Sequence, residues 1–156
     1  NVLINDLILT FENPKGVIIS VPRKLPIIKR DQYRLELLFR HLIYNAIKFN
    51  DKETGGFVEI RCSEQDEFWQ FIIKDNGKGI DPSQYENIFT PNFTTKSSGS
   101  GLGLAIVKNI LKNLLFDCIN DKSIIFTPLS ILLPSPSATI KLTLYPLEAI
   151  SMHLGH

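Results

Sequence analysis

SGSGLGLAIVK, Ser98 to Lys108, is the stretch on which the reading of this chain turns. Gly99, Gly101 and Gly103 alternate with other residues and run directly into an apolar helical pattern. The first N–H groups of a helix have no intrahelical partner and sit at the positive end of its dipole. A glycine loop entering a helix start is therefore a place to hold phosphates. The stretch lacks the GK[ST] ending of a P-loop. A polar Thr/Ser/Gly segment, residues 90–100, precedes it where a dinucleotide fold would have a strand. Glycine is unevenly spread along the chain. Seven of the nine fall between Gly55 and Gly103, and none lies from Leu104 to Leu154, where average usage gives about three or four. The backbone is shaped around something in the middle of the chain.

Working outward, DNGKGI, Asp75 to Ile80, places an Asp at the end of an apolar strand, followed by two glycines one residue apart. Such spacing lets a ligand approach the backbone closely, and it also suits an ordinary strand-to-helix turn. Further back, Leu35, Leu38, Phe39, Leu42, Ile43, Ala46 and Ile47 recur at three- and four-residue spacing. This predicts a helix from Asp31, its N-cap, to Phe49. His41, Asn45 and Lys48 stand at i, i+4 and i+7 on that helix and share one face. The trio reads either as a solvated polar face or as a functional one. An asparagine in mid-helix has poor propensity and asks for a reason.

The remaining elements complete a mixed pattern. Asn1 to Leu9 reads as the end of a helix, and VIISV (17–21) as a short strand closed by Pro22 and Pro26. FVEIRC (57–62) and EFWQFIIKD (67–75) read as a hairpin with a polar turn at 63–66. Asp81-Pro82 starts a short helix by its capping residue and N1 proline. Leu102 to Phe116 is helical, with Leu102, Ile106, Val107, Ile110, Leu111, Leu114 and Leu115 inward. SIIFT (123–127) and ATIKLTLY (138–145) read as late strands. Strands and helices without regular βαβ alternation predict an α/β two-layer sandwich.

Bulk composition narrows the function classes. The chain has 156 residues, 44% of them hydrophobic, which suits one globular domain and excludes a disordered tail. A net charge of +1 without a basic block argues against a nucleic-acid binder or a polybasic membrane anchor. Cys62 and Cys118 are too few for a disulfide scaffold and read as reduced thiols. The greasiest run, Ile124 to Leu133, is broken by Thr127, Pro128 and Ser130 and falls far short of the roughly 20 residues of a membrane helix.

Taken together, NAIKF (45–49), DNGKGI (75–80), IFTPNF (88–93) and SGSGLGLAIVK (98–108) resemble the N, G1, F and G2 boxes of sensor histidine kinases. That superfamily is shared with DNA gyrase, the 90-kDa heat-shock chaperone and mismatch-repair ATPases. The resemblance implies the Bergerat ATP-binding fold: a two-layer sandwich with a mixed, mostly antiparallel sheet and three main helices on one face. It implies one domain over residues 1–148, with 1–9 ending a linker helix and 82–100 forming an ATP lid; residues 149–156 resemble nothing in the family and read as a tail of added sequence. The implied cofactors are ATP and Mg²⁺. Asn45 would be the metal ligand, a neutral amide oxygen suited to a hard cation whose other ligands are phosphate and water. Lys48 would reach the phosphates. Asp75 would accept a hydrogen bond from the adenine amino group, leaving an unpaired acceptor for guanine. Gly77 and Gly79 would pass under the base and Ile80 would wall it. Phe89 and Phe93 would anchor the lid, with Thr95 and Lys96 placed for phosphate contacts. Gly99, Ser100, Gly101, Leu102 and Gly103 would offer backbone donors, and Thr139 would lie near adenine.

The implied reaction is transfer of the γ-phosphoryl of MgATP to a histidine, which asks mostly for positioning and charge neutralisation. Hydrolytic relatives carry a glutamate four residues before the asparagine. Here that place holds His41, which favours kinase over ATPase. His41 has two open roles: a weak base or orienter of Asn45, or a structural histidine beside the metal. The acceptor would lie on a separate dimerisation domain, and a response regulator would be the next partner. Nucleic acid and membrane contact are not expected, and the expected location is the cytoplasm, as part of a sensor. His153 and His156 lie in the tail and match no acceptor motif. Two alternatives stand: a non-catalytic nucleotide-responsive module, and a serine kinase of the anti-sigma type. After Asn113 the family's paired glycines and Gly-Thr-Thr/Ser-Phe motif are missing. The turn then falls to Asn120-Asp121, which tolerates left-handed geometry, or the last third is rearranged.

Overall fold

A computed structural model describes residues 2–13, 15–28, 31–65, 68–94, 99–120, 130–132 and 139–144. The elements are α1 (Val2–Leu9), β1 (Ile18–Ser20), α2 (Gln32–Lys48), β2 (Phe57–Gln65), β3 (Phe68–Asp75), a 3₁₀ turn (Pro82–Gln84), α3 (Gly103–Asn120), β4 (Ser130–Leu132) and β5 (Thr139–Leu144). The five strands form one sheet in the order β1-β2-β3-β5-β4. Only β1 and β2 pair in parallel, with α2 as their crossover; every other neighbour is antiparallel. The mixed, mostly antiparallel α/β sandwich expected from the sequence is the fold found.

The local causes are those the pattern predicts. Asp31 caps α2 by accepting the Arg34 backbone N–H at 2.9 Å. All seven residues of the apolar stripe on α2 are buried, each contributing on the order of 1.5–3 kcal/mol for a large side chain. Val58 and Ile60 on β2, and Phe71 and Ile73 on β3, face the helices and are buried. Phe39 of α2 meets Phe71 edge-on, with ring centroids 5.4 Å apart. Ile4 and Leu7 of α1 and Val107 and Ile110 of α3 close the same core.

The 3₁₀ turn starts where Asp81 was placed as a cap, its carboxylate accepting the Ser83 N–H. Three differences refine the sequence reading. Strand β2 continues through Ser63–Gln65, pairing Gln65 with Phe68, so three residues of the polar run belong to the strand. Leu102 is 41% exposed rather than inward, because it stands one residue ahead of α3, in the glycine loop. Helix α3 continues to Asn120, past Phe116. SIIFT (123–127), Asp121 and the 149–156 tail lie outside the described residues; β4 is found at Ser130–Leu132.

Candidate functional site

The site is assembled by three strand and helix ends. Alternation along β3 explains the first. Phe71 and Ile73 point into the core, so Asp75, two residues on, shares their side of the sheet. It sits where the strand ends and the helical cover stops, 8% exposed. Its Oδ1 accepts the Gly77 N–H at 2.8 Å. Burial raises the Asp75 pKa to about 6, and the Gly77 hydrogen bond partly opposes the rise. Among the described residues Asp75 is therefore a buried acceptor at a strand end rather than an ion-pair member.

The second end is that of α2. Here His41, Asn45 and Lys48 lie half-buried on one face. Burial, then the neighbouring Arg40 guanidinium, lowers the His41 pKa, so the imidazole is neutral at physiological pH. The Lys48 ammonium lies 5.7 Å from the Tyr44 ring centroid and 6.0 Å from that of Phe49. The helix end also abuts the DNGKGI turn. A side chain at Gly77 would strike the Phe49 carbonyl at 2.7 Å and Asn50 Cα at 3.0 Å. The Lys78 N–H donates to that same carbonyl at 3.3 Å. Gly79 has φ +72, a left-handed turn that glycine adopts without strain.

The third end is the start of α3. A Cβ on Gly103 would lie 3.5 Å from His41 Nδ1 and 3.6 Å from Asn45 Nδ2. The first residue of α3 thus lies over His41 and Asn45 on the polar face of α2. The Ile106 N–H to Leu102 carbonyl bond is the first of the helix, so the N–H groups of Gly103, Leu104 and Ala105 precede the ladder. Gly101, at φ +65, lies so close to the Asn92–Phe93 backbone that any Cβ would collide with it. The Phe89 ring lies 5.8 Å from the Lys108 ammonium on α3, and Ile88 beside it is buried. IFTPNF is thereby fastened to the helix it precedes.

Of the residues singled out from sequence, His41, Asn45 and Gly103 are brought together, with Lys48 one turn further along α2. Gly77 and Lys78 of the adjoining turn lie against the Phe49 carbonyl, and Asp75 is tied to Gly77; Ile80 follows in the same turn, partly buried. Thr139 opens β5 and pairs with Lys74, the residue before Asp75. Thr95 and Lys96 lie outside the described residues. Sequence reasoning missed Asn50 and Asn76. Asn50 is 1% exposed, and its Nδ2 donates to Asn76 Oδ1 at 3.0 Å. The NAIKF motif stops one residue short of Asn50, and nothing local marks its burial.

The donor set also bears on Mg²⁺. Among the described residues no group of three His, Cys, Asp or Glu side chains gathers to hold a metal. A cation beside the Asn45 amide would take its other oxygens from phosphate and water, which fits a metal that arrives with a nucleotide. Among the same residues no helix is long and apolar enough to cross a membrane.

Comparison with known proteins agrees with this geometry. Residues 30–124 match the family model described as histidine kinase-, DNA gyrase B-, and HSP90-like ATPase. Sensor histidine kinase ZraS of Escherichia coli O157:H7 is 42% identical over 88 residues, covering 56% of this chain and 19% of ZraS. The chain thus spans about a fifth of that relative's length. The catalytic domain of histidine kinase ThkA has the same fold, with a TM-score of 0.74 at 20% identity over 94% of this chain and 93% of that one. Full-length ShkA in complex with AMPPNP gives 0.65 at 25% identity, over 92% of this chain and 29% of that one. With the family model covering well over half of it, the chain belongs to the histidine kinase-, DNA gyrase B- and HSP90-like ATPase family.

Proposed function

We propose that this chain is the catalytic and ATP-binding domain of a sensor histidine kinase, which binds MgATP and transfers its γ-phosphoryl to a histidine on a separate dimerisation domain. The observation that carries the reading is the approach of Gly103 to Asn45 and His41, which joins a phosphate-type helix start to an amide suited to a hard cation. The relatives support it: ZraS is a sensor histidine kinase, and ShkA was crystallised with AMPPNP.

In this reading Asp75 accepts the adenine amino group, and Ile80 and the Gly77–Gly79 backbone flank the base. Lys48 and the N–H groups of the Gly99–Gly103 loop hold the phosphates. Phe89 and Phe93 anchor a lid over residues 82–100, to which Thr95 and Lys96 belong, and Thr139 lies near the base. Asn45 would hold Mg²⁺, which when bound neutralises phosphate charge. A ring nitrogen of the acceptor histidine attacks the γ-phosphorus, its proton passes to solvent, and ADP leaves. The glutamate that hydrolytic relatives carry four residues before the asparagine is replaced here by His41, which favours transfer over hydrolysis. The phosphohistidine would then serve a response regulator on the cytoplasmic side.

The test supplies γ-labelled ATP, Mg²⁺ and a histidine-bearing helical-hairpin domain of a related sensor kinase to the purified chain. Acid-labile, alkali-stable label on the hairpin is the expected product. Binding of ATP without transfer to any histidine would favour a nucleotide-responsive module instead, and acid-stable label on serine would favour a serine kinase.

A further inference from the structure

Asn50 is the most deeply buried polar side chain among the described residues, and all its hydrogen-bonding groups are occupied. Its Oδ1 accepts the Lys52 N–H at 3.1 Å, its Nδ2 donates to Asn76 Oδ1 at 3.0 Å, and its main-chain carbonyl accepts the Lys15 ammonium at 2.7 Å. Asn76 in turn accepts the Phe57 N–H on Oδ1 at 2.9 Å and donates from Nδ2 to the Gly55 carbonyl at 3.0 Å. Main-chain groups thus fix which end of each amide is oxygen, so the pair has one orientation. Gly56 completes the fit, since a Cβ there would lie 2.8 Å from Asn50 Oδ1.

We infer that Asn50 and Asn76 form an amide clamp whose task is to position Asp75 as the reader of the nucleotide base. The inference rests on the nucleotide-binding reading above. Asn76 follows Asp75 directly, and Gly77, whose N–H orients the Asp75 carboxyl, follows Asn76. On the other side Asn50 follows Phe49, whose carbonyl takes the Lys78 N–H. The clamp therefore fastens the base-reading turn to the end of the helix that carries Asn45 and Lys48. A buried amide left half-paired is costly, so the arrangement is all-or-nothing. Asn50 and Asn76 are positioning residues: they act through the direction of the Asp75 carboxyl.

A scaffold residue would weaken every nucleotide equally, whereas a residue that aims Asp75 sets the preference between bases. The experiment measures ATP and GTP affinities by calorimetry, with Mg²⁺, for the 156-residue chain and for Asn50→Ala, Asn76→Ala and Asn50→Thr. The expected result is a fall in the ATP-to-GTP affinity ratio of at least tenfold in both alanine variants, with GTP affinity within about twofold of the parent. Asn50→Thr, whose hydroxyl both donates and accepts, should recover part of the ratio. Should Asn50→Ala fail to fold by circular dichroism, Asn76→Ala and Asn50→Thr carry the test. An unchanged ratio in the folded variants, or equal losses for both nucleotides, overturns the clamp. Asp75→Asn separates the two ideas. If it leaves the ratio unchanged, the base-reading role of Asp75 itself fails. If it collapses the ratio while the clamp variants do not, only the clamp fails.

Discussion

Gly103, the first residue of α3, faces Asn45 of α2 across a gap that a single Cβ would bring to 3.6 Å from Asn45 Nδ2. That contact is ordinary van der Waals distance, so a methyl group fits and a larger side chain fills the space over the amide. Gly103→Ala should keep or slightly raise stability, since alanine favours a helix start by up to about 1 kcal/mol over glycine. Gly103→Leu should fold yet lose MgATP binding by tenfold or more. Thermal melts and calorimetry on the two variants check this. Equal binding in both would place the nucleotide elsewhere.

The Asp75 carboxyl couples stability to pH. Its pKa in the fold is about 6, above the roughly 3.9 of an exposed aspartate. A raised carboxyl favours the fold below the unfolded value, and that benefit is lost as pH rises through the folded value. Ionised Asp75 therefore costs the free protein on the order of 2–3 kcal/mol at neutral pH. Asp75→Asn should flatten the pH dependence between about 4 and 6 and raise stability above pH 6 by about 1–2 kcal/mol, while removing the preference for ATP. Urea titrations at pH 4.5 and 8 measure the first part. A variant with the parent's pH profile would show that Asp75 is not the group responsible. Because the carboxylate is the form that accepts the adenine amino group best, ATP affinity should also decline below pH 6.

Gly101 is held at φ +65 against the backbone of Asn92 and Phe93, with Phe93 N and O each 2.7 Å from where a Cβ would be. Alanine there combines left-handed strain with a backbone collision. Gly101→Ala should cost about 1–3 kcal/mol and loosen the IFTPNF segment, which hydrogen exchange at residues 88–93 would register. Gly79→Ala, left-handed too but with open space around it, should cost less. If the two cost the same, backbone strain alone accounts for both.

Local elements were legible because their causes are local. The apolar stripe of α2, the Asp31 and Asp81 caps and the alternation through Phe71 and Ile73 each need only a few neighbouring residues. That alternation already contains the burial of Asp75, two positions on. The sheet order was not legible in the same way: β5 enters between β3 and β4, pairing Ile140 with Ile73 across more than sixty residues. Asn50 was invisible for a similar reason. Its partner Asn76 is 26 residues away, and an asparagine after a helix reads equally well as an exposed cap. Leu102 was misplaced inward because an apolar residue beside a helix looks like its first core position. Of the residues given to the nucleotide, the grouping of His41, Asn45 and Gly103 came from motif resemblance, since nothing in their spacing brings residue 103 to residue 45.

In the proposed function Asn45 is the point where nucleotide and cation meet the protein. Asn45 is half-buried in mid-helix, where alanine has the better helix propensity, so Asn45→Ala should stay folded. Calorimetric titration of ATP into the chain and into Asn45→Ala, each with and without Mg²⁺, is the direct measurement. One saturable site in the parent, tightened by Mg²⁺, with that Mg²⁺ dependence lost in the folded variant, is the predicted result. The same Mg²⁺-dependent affinity in Asn45→Ala, or no ATP binding by the parent at all, would contradict it.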